Sequence, residues 1–242
     1  LLQDVTSSKS LHYYLSIIRC AEFFHKKVFI YSQGIGPIDR PGNRRAAAAA
    51  LKRADGIVVR DERSASLLEE IGIARDKVVI TADPVIRMKK PDGDVGAEIL
   101  RKAGVSLDGR LTVGWAIRER DTDSRFVKEL LRSIQMMKDK YNAQSVLIPF
   151  HYEEDGEVCR HIAAQLPDDT AVCLNEKYLS EDMLSIIGNM DLLVGVRLHS
   201  LIYAAIMGVP LIGISYDPKC TAFLNSVGLD KLSTRDGYTA EA

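Results

Sequence analysis

The chain has 242 residues, 46% of them hydrophobic and 27% charged, with a formal net charge of −1. That length holds one large or two small domains, and the balanced charge argues against a general nucleic-acid binder while leaving room for a local basic site. Four cysteines (Cys20, Cys159, Cys173, Cys220) lack Cys-x-x-Cys spacing, so neither a zinc set nor a disulfide framework is legible, and a reducing cytoplasm is the expected setting. No apolar run is long enough to span a bilayer.

The opening Leu1-Leu2-Gln3-Asp4 carries no initiator methionine or leader, and the closing residues 237–242 read as no helix. The expectation is a piece of a longer protein, with the N-terminal domain lacking its first strands. Residues 10–25 predict a helix, with Leu11, Tyr14, Leu15, Ile18, Ala21 and Phe24 at helical spacing. His12 and His25 read as surface residues of it. Residues 27–32 predict a strand, followed by the tight loop Gln33-Gly34-Ile35-Gly36-Pro37. This loop lacks the third glycine of a dinucleotide fingerprint, and Pro37 removes a donor, so NAD binding is not expected.

Arg40, Arg44 and Arg45 then start a helix that runs through the alanines 46–50. Cations there oppose the helix dipole, which makes Arg40 a candidate anion contact. Residues 56–59 predict a strand with Arg60 at its end. Asp61 is placed to cap a helix over 62–71 that Gly72 stops. Arg60 either pairs with Asp61 or Glu62 or faces a ligand; the sequence does not choose. Residues 77–81 predict another strand, and Asp83 after it reads as a turn former.

The polar stretch Lys89-Lys90-Pro91-Asp92-Gly93-Asp94 marks the expected domain boundary, giving domains 1–90 and 91–242. A second alternation follows: helix 95–103, strand 111–117, helix 124–140, strand 145–149, helix 156–165, strand 170–174, helix 180–189. Trp115 to Arg120 ends one of these strands, with Arg118 its first polar residue. Phe150 to Asp155 ends another, with Asp155 expected to cap a helix and His151 a possible ligand contact. His161 reads as surface. Two alternating blocks indicate an α/β protein of two doubly wound, Rossmann-like domains.

Residues 191–219 complete the series and carry the strongest chemistry. Residues 191–196 predict a strand, Ser200 a helix cap, 200–207 a helix, Gly208 its stop, 211–215 a second strand, and Tyr216-Asp217-Pro218-Lys219 a turn. The two strands of such a β-α-β unit are parallel. Arg197-Leu198-His199 and Asp217-Pro218-Lys219 therefore fall at carboxyl strand ends, where open α/β sheets bind ligands. Arginine, histidine and lysine beside a helix start suit an anion with several oxygens. The bland alternative is that Arg197 pairs with a carboxylate, His199 is a satisfied helix-start histidine and Lys219 is a solvated turn residue. Leu198 reads as a packing anchor whose N–H remains available to a ligand.

These motifs resemble the signature of the polysaccharide pyruvyltransferase family. Arg197-Leu198-His199, the small-residue helix and the strand ending in Tyr216-Asp217-Pro218-Lys219 are similar to it. So are Tyr31-Ser32-Gln33-Gly34-Ile35-Gly36-Pro37 and Val59-Arg60-Asp61-Glu62-Arg63-Ser64. The resemblance is strongest to members that pyruvylate a bacterial secondary cell-wall polymer. It implies two Rossmann-like domains in a GT-B-like arrangement. It also implies transfer of pyruvate from phosphoenolpyruvate to a sugar, forming a ketal. On that reading Arg197, Leu198, Arg118 and Arg60 contact phosphoenolpyruvate, while His199, Arg40 and Lys219 are catalytic. His199 is the general acid/base because imidazole exchanges protons near neutral pH. The donor is expected mainly against the second block.

No metal and no cofactor besides the donor are expected. The implied partners are phosphoenolpyruvate and a lipid-linked or polymeric glycan acceptor, with no nucleic acid and at most peripheral contact at the inner face of a membrane. A nucleotide-sugar glycosyltransferase or epimerase on the same scaffold is the competing enzyme class, since fold does not fix function. It would call for a ribose-binding carboxylate, and no clear pattern for one is present. A noncatalytic sugar-binding module is the third class, and it would have no need of an Arg/His/Lys site.

Overall fold

The computed structural model describes residues 2–4, 7–91, 93–119, 124–215, 217–229 and 237–240. Arg120 and Tyr216, read above as a strand end and as part of a turn, lie outside the described residues, as does Asp92 of the expected boundary. The chain forms two compact units, Leu1–Pro84 and Val85–Ala242. The break falls before the polar stretch, and the reason is packing. Val85 and Met88 are half-buried against the core of the second unit, so the chain has joined that unit before its composition turns polar.

The first unit contains α1 (Ser8–Phe23), β1 (Phe29–Gln33), α2 (Pro41–Leu51), β2 (Gly56–Val59), α3 (Glu62–Glu70) and β3 (Val78–Ile80). The strands are parallel in the order β1-β2-β3. Two right-handed crossovers stepping in the same direction put α2 and α3 on one face of the sheet. Leu11, Leu15, Ile30, Leu51, Ile57, Val59 and Leu68 pack into a core on that side. On the other face Phe29, Tyr31 and Val79 are exposed.

The start of α2 is held from a distance. Arg40 stands at the N-cap position and its side chain makes no capping bond. Asp4, buried in the core region, supplies the acceptors. Its Oδ1 accepts the Asp39 N–H at 2.9 Å, and its Oδ2 accepts the Arg40 N–H at 3.1 Å and an Asn43 amide N–H at 2.8 Å. Burial pushes the Asp4 carboxyl up, but these bonds outweigh it and hold it below the ordinary carboxylate range. A depressed folded pKa means stability present above the unfolded value, about 3.9, and lost as pH falls through the folded one. Asp4→Ala is therefore expected to cost about 1.5–3 kcal/mol near neutral pH. The difference from the parent should shrink in acid unfolding experiments below about pH 4.

The second unit contains α4 (Val95–Lys102), β4 (Thr112–Ala116), α5 (Arg125–Tyr141), β5 (Gln144–Leu147), α6 (Tyr152–Ala164), β6 (Ala171–Cys173), α7 (Ser180–Ile187), β7 (Leu192–Gly195), α8 (Leu198–Met207), β8 (Leu211–Gly213) and α9 (Pro218–Ser226). Its sheet is all parallel in the order β6-β5-β4-β7-β8. The chain winds outward from β4 through β5 to β6. It then returns past β4 and winds the other way through β7 to β8. This reversal puts α5 and α6 on one face, in a core with Val113, Trp115 and Ile117. It puts α7 and α8 on the other, with Val146, Ile148 and Leu193. The strands are mostly apolar because both faces are covered, and the polar exceptions Thr112, Gln144 and Ser145 stand at strand starts. The Trp115 indole N–H donates to Ser145 Oγ at 2.9 Å within the core.

Three elements differ from the sequence expectation. Helix α6 begins a turn earlier than 156, because Asp155 accepts the His151 N–H at 2.8 Å and so sits inside the helix. Helix α8 begins at Leu198, and the Ser200 hydroxyl donates to the Arg197 carbonyl at 2.6 Å instead of capping. Residues 217–219 open α9 where a turn was expected, with Asp217 as its cap accepting the Lys219 N–H at 2.8 Å. Gly208 closes α8 in the left-handed conformation at φ 72°, as expected. Among the described residues no helix is long and apolar enough to cross a membrane.

Candidate active site

Strand order decides where ligands fit. In the second unit the winding reverses between β4 and β7, and their carboxyl ends are where the chain departs in opposite directions. Ala116 pairs with Gly195 in register, and the Val196 N–H donates to the Ala116 carbonyl at 2.9 Å. Arg118 and Arg197 follow these two strands at matching positions. Both are half-buried.

Gly195 makes the sharp entry into α8 possible. A Cβ there would lie 2.6 Å from Ser200 Oγ and 2.8 Å from a Leu201 methyl, so only glycine lets the helix start so close to the strand. Arg197 takes the N-cap position with extended backbone. His199 then occupies the first turn of α8 and is exposed at this edge. Leu198 is half-buried and packs with Leu201, Cys220 and Leu224, which locks the start of α8 against α9.

The same contact places Lys219. Cys220 is buried, and its Sγ lies 3.5 Å from the Val196 carbonyl. The first turn of α9 therefore rests against the end of β7, and Lys219, half-buried in that turn, neighbours the segment carrying Arg197 and His199. Lys219 belongs to a helix start; the solvated-turn reading does not describe it.

Arg197 does pair with a carboxylate. Its Nε donates to Asp155 Oδ2 at 3.0 Å, and its Nη2 makes a short bond to Oδ1. Glu154 approaches Nη2 at 3.6 Å. Asp155 was expected as a helix cap, and its carboxylate does reach back to His151; that Arg197 pairs with a carboxylate was the bland alternative, and the sequence did not disclose Asp155 as the partner. His151 is exposed at the N-cap of α6, its Nδ1 3.8 Å from Glu153. His12 and His25 are exposed and His161 is half-buried.

The remaining candidates belong to the first unit. Arg40 is exposed and its Nη1 donates to Ser8 Oγ at 2.6 Å. Arg60 donates through Nη1 to Asp83 at 2.7 Å and through Nε to Asp61 at 3.4 Å. Its partner is thus chiefly Asp83, the expected turn former, while Glu62 pairs with Arg75. Gly34 explains part of its loop: a Cβ there would lie 2.7 Å from the Arg60 guanidinium. The glycine makes room for an arginine. Among the described residues no three His, Cys, Asp or Glu side chains come together as a metal-ligand set.

Comparison with known proteins follows the same lines. Residues 2–218 match the family model described as polysaccharide pyruvyl transferase. The chain is 21% identical over 231 residues to the amylovoran biosynthesis protein AmsJ of Erwinia amylovora, covering 89% of this chain and 55% of that protein. Among solved structures it resembles the UDP-GlcNAc 2-epimerase of Methanocaldococcus jannaschii (TM-score 0.68, 14% identity, 91% of this chain and 63% of that one). It also resembles Anabaena Alr3699/HepE in complex with UDP-glucose (TM-score 0.55, 13% identity, 83% and 57%). At such identities the structural likeness shows the fold alone. The chain spans little more than half the length of these relatives.

Proposed function

This chain belongs to the polysaccharide pyruvyl transferase family, and we propose that it transfers pyruvate from phosphoenolpyruvate to a sugar of a cell-wall polysaccharide precursor, forming a ketal and releasing phosphate. One observation carries the reading for these residues. Arg118 and Arg197-Leu198-His199 follow adjacent parallel strands at the point where strand order reverses, and the first turn of α9, which carries Lys219, rests against the end of β7 through Cys220.

Phosphoenolpyruvate bears a carboxylate and a phosphate on one enol carbon, and guanidinium forks suit both. In the proposal Arg197 and Arg118 grip the donor, with the Leu198 N–H at the same helix start. His199 delivers a proton to the enol methylene, which becomes the methyl group, and leaves an oxocarbenium-like carbon. A sugar hydroxyl attacks that carbon and gives up its proton. Phosphate departs with the C–O bonding pair, a second hydroxyl attacks, and loss of its proton closes the ketal ring. No step uses a metal or a further cofactor. Arg60 is gripped at Nε and Nη1 by two different carboxylates, and we assign it to holding the ends of β2 and β3 rather than the donor. The acceptor is proposed to be a lipid-linked or polymeric glycan.

Charge balance makes Lys219 necessary to this reading. Arg197 stands beside Asp155 and Glu154, so it adds no net positive charge to the edge. A phosphate with a carboxylate needs cations from elsewhere, and Lys219 and Arg118 supply them. Lys219→Ala is expected to weaken phosphoenolpyruvate binding or slow transfer by roughly ten- to a hundredfold, the loss of one charge-assisted bond. Lys219→Arg should restore it incompletely, because a planar fork does not replace a compact ammonium. Unchanged Michaelis constant and turnover in Lys219→Ala would return the lysine to a structural role.

The competing reading draws on the solved structures, one a UDP-GlcNAc 2-epimerase by name and the other a protein in complex with UDP-glucose. Incubation with phosphoenolpyruvate and a glycan acceptor, or with a UDP-sugar, separates the two. Release of inorganic phosphate with a pyruvate ketal on the acceptor supports the proposal. Release of UDP, or epimerisation of the sugar nucleotide, overturns it.

A further inference from the structure

The Asp155–Arg197 pair joins residues 42 apart in the chain. Asp155 stands in the first turn of α6, which follows β5, and Arg197 follows β7. Strand β4 runs between β5 and β7. The ion pair therefore spans the carboxyl end of β4, across the point where the winding reverses. The Asp155 side chain is 1% exposed and that of Arg197 is 19% exposed. A carboxylate so buried is tolerated only when its oxygens are satisfied, and they are: Oδ2 accepts from the His151 N–H and Arg197 Nε, and Oδ1 accepts from Arg197 Nη2.

We propose that Asp155 is a positioning residue for the donor: it holds Arg197 by the Nε–Nη2 edge and presents the Nη1–Nη2 end of the guanidinium to phosphoenolpyruvate. This deepens the reading above and rests on it. A guanidinium has five N–H donors, and Asp155 uses two. The remaining three are one on Nη2 and two on Nη1, and one from each nitrogen forms the second edge that suits a carboxylate or phosphate bidentately, with Glu154 3.6 Å from its Nη2 side. Fixing a long side chain before the ligand arrives also removes an ordering cost at binding. The alternative is a purely structural staple between α6 and the β7–α8 turn. The two differ in how the residues combine, because a positioning residue acts only through Arg197.

The test is a double-mutant cycle read by calorimetric titration of phosphoenolpyruvate into the whole chain. Asp155→Asn and Arg197→Gln are each expected to weaken affinity by roughly ten- to a hundredfold. The double variant should bind no worse than Arg197→Gln alone. Effects that multiply in the double variant overturn the proposal, as does full affinity in a folded Asp155→Asn protein. Should Asp155→Asn not fold, Asp155→Glu replaces it, keeping the charge while displacing the guanidinium. Weaker binding at an unchanged unfolding midpoint then supports positioning, and unchanged binding refutes it. A parent protein that binds no phosphoenolpyruvate refutes the donor reading instead. The grip on Arg197 is then read by NMR without ligand, as a slowly exchanging Arg197 Nε–H signal. Its loss in the Asp155 variant supports the grip, and its persistence overturns it.

Discussion

A His199→Ala protein is expected to transfer pyruvate roughly 10²–10⁴-fold more slowly than the parent, the usual effect of removing a general acid/base. The side chain lies in the first turn of α8, exposed at the carboxyl edge of the sheet, while the buried face of that helix is carried by Ser200, Leu201, Ile202, Tyr203 and Ala204. Removing an exposed imidazole leaves that packing untouched. The unfolding midpoint should therefore stay near that of the parent while turnover collapses. Near-normal turnover in the folded variant would reassign the proton transfer to another group.

The second large effect is at Arg197. Arg197→Ala leaves Asp155 buried without its cation, and breaking a buried pair in this way costs about 3–5 kcal/mol. The variant is expected to lose donor binding and much of the second unit's stability together. Arg197→Lys separates the two. It keeps a positive charge near Asp155 but cannot offer one edge of a fork to the carboxylate and another to the donor. Binding should fall by roughly ten- to a hundredfold with a much smaller loss in denaturant unfolding. Equal losses in both measurements would mean that Arg197 serves the fold alone.

The alternation of strands and helices was legible because buried parallel strands are written as apolar runs and the helices between them as 3.6-residue patterns. The strand-end positions of Arg118 and Arg197-Leu198-His199 were legible because each follows such a run, and β4 and β7 are neighbours. The partners that lie far apart in the chain were not. Asp155 and Arg197 lie 42 residues apart, Arg60 and Asp83 23 apart, and Asp4 reaches Asn43 over 39. Such contacts depend on which strands become neighbours, and local propensity carries no record of that. Asp155 looked like a helix cap because its sequence neighbourhood is that of a cap. Helix α9 was missed for a related reason: Asp217-Pro218 reads equally as a turn or as a cap followed by proline at the first helical position, and the buried contacts of Cys220 and Leu224 with α8 decide for the helix.

Calorimetric titration of the purified chain with phosphoenolpyruvate, with UDP-GlcNAc titrated in parallel, tests the central claim most directly. Saturable phosphoenolpyruvate binding is expected, weakened by roughly ten- to a hundredfold in both Arg197→Lys and Lys219→Ala, with no saturable binding of the sugar nucleotide. Saturable UDP-GlcNAc binding with none of phosphoenolpyruvate would contradict it.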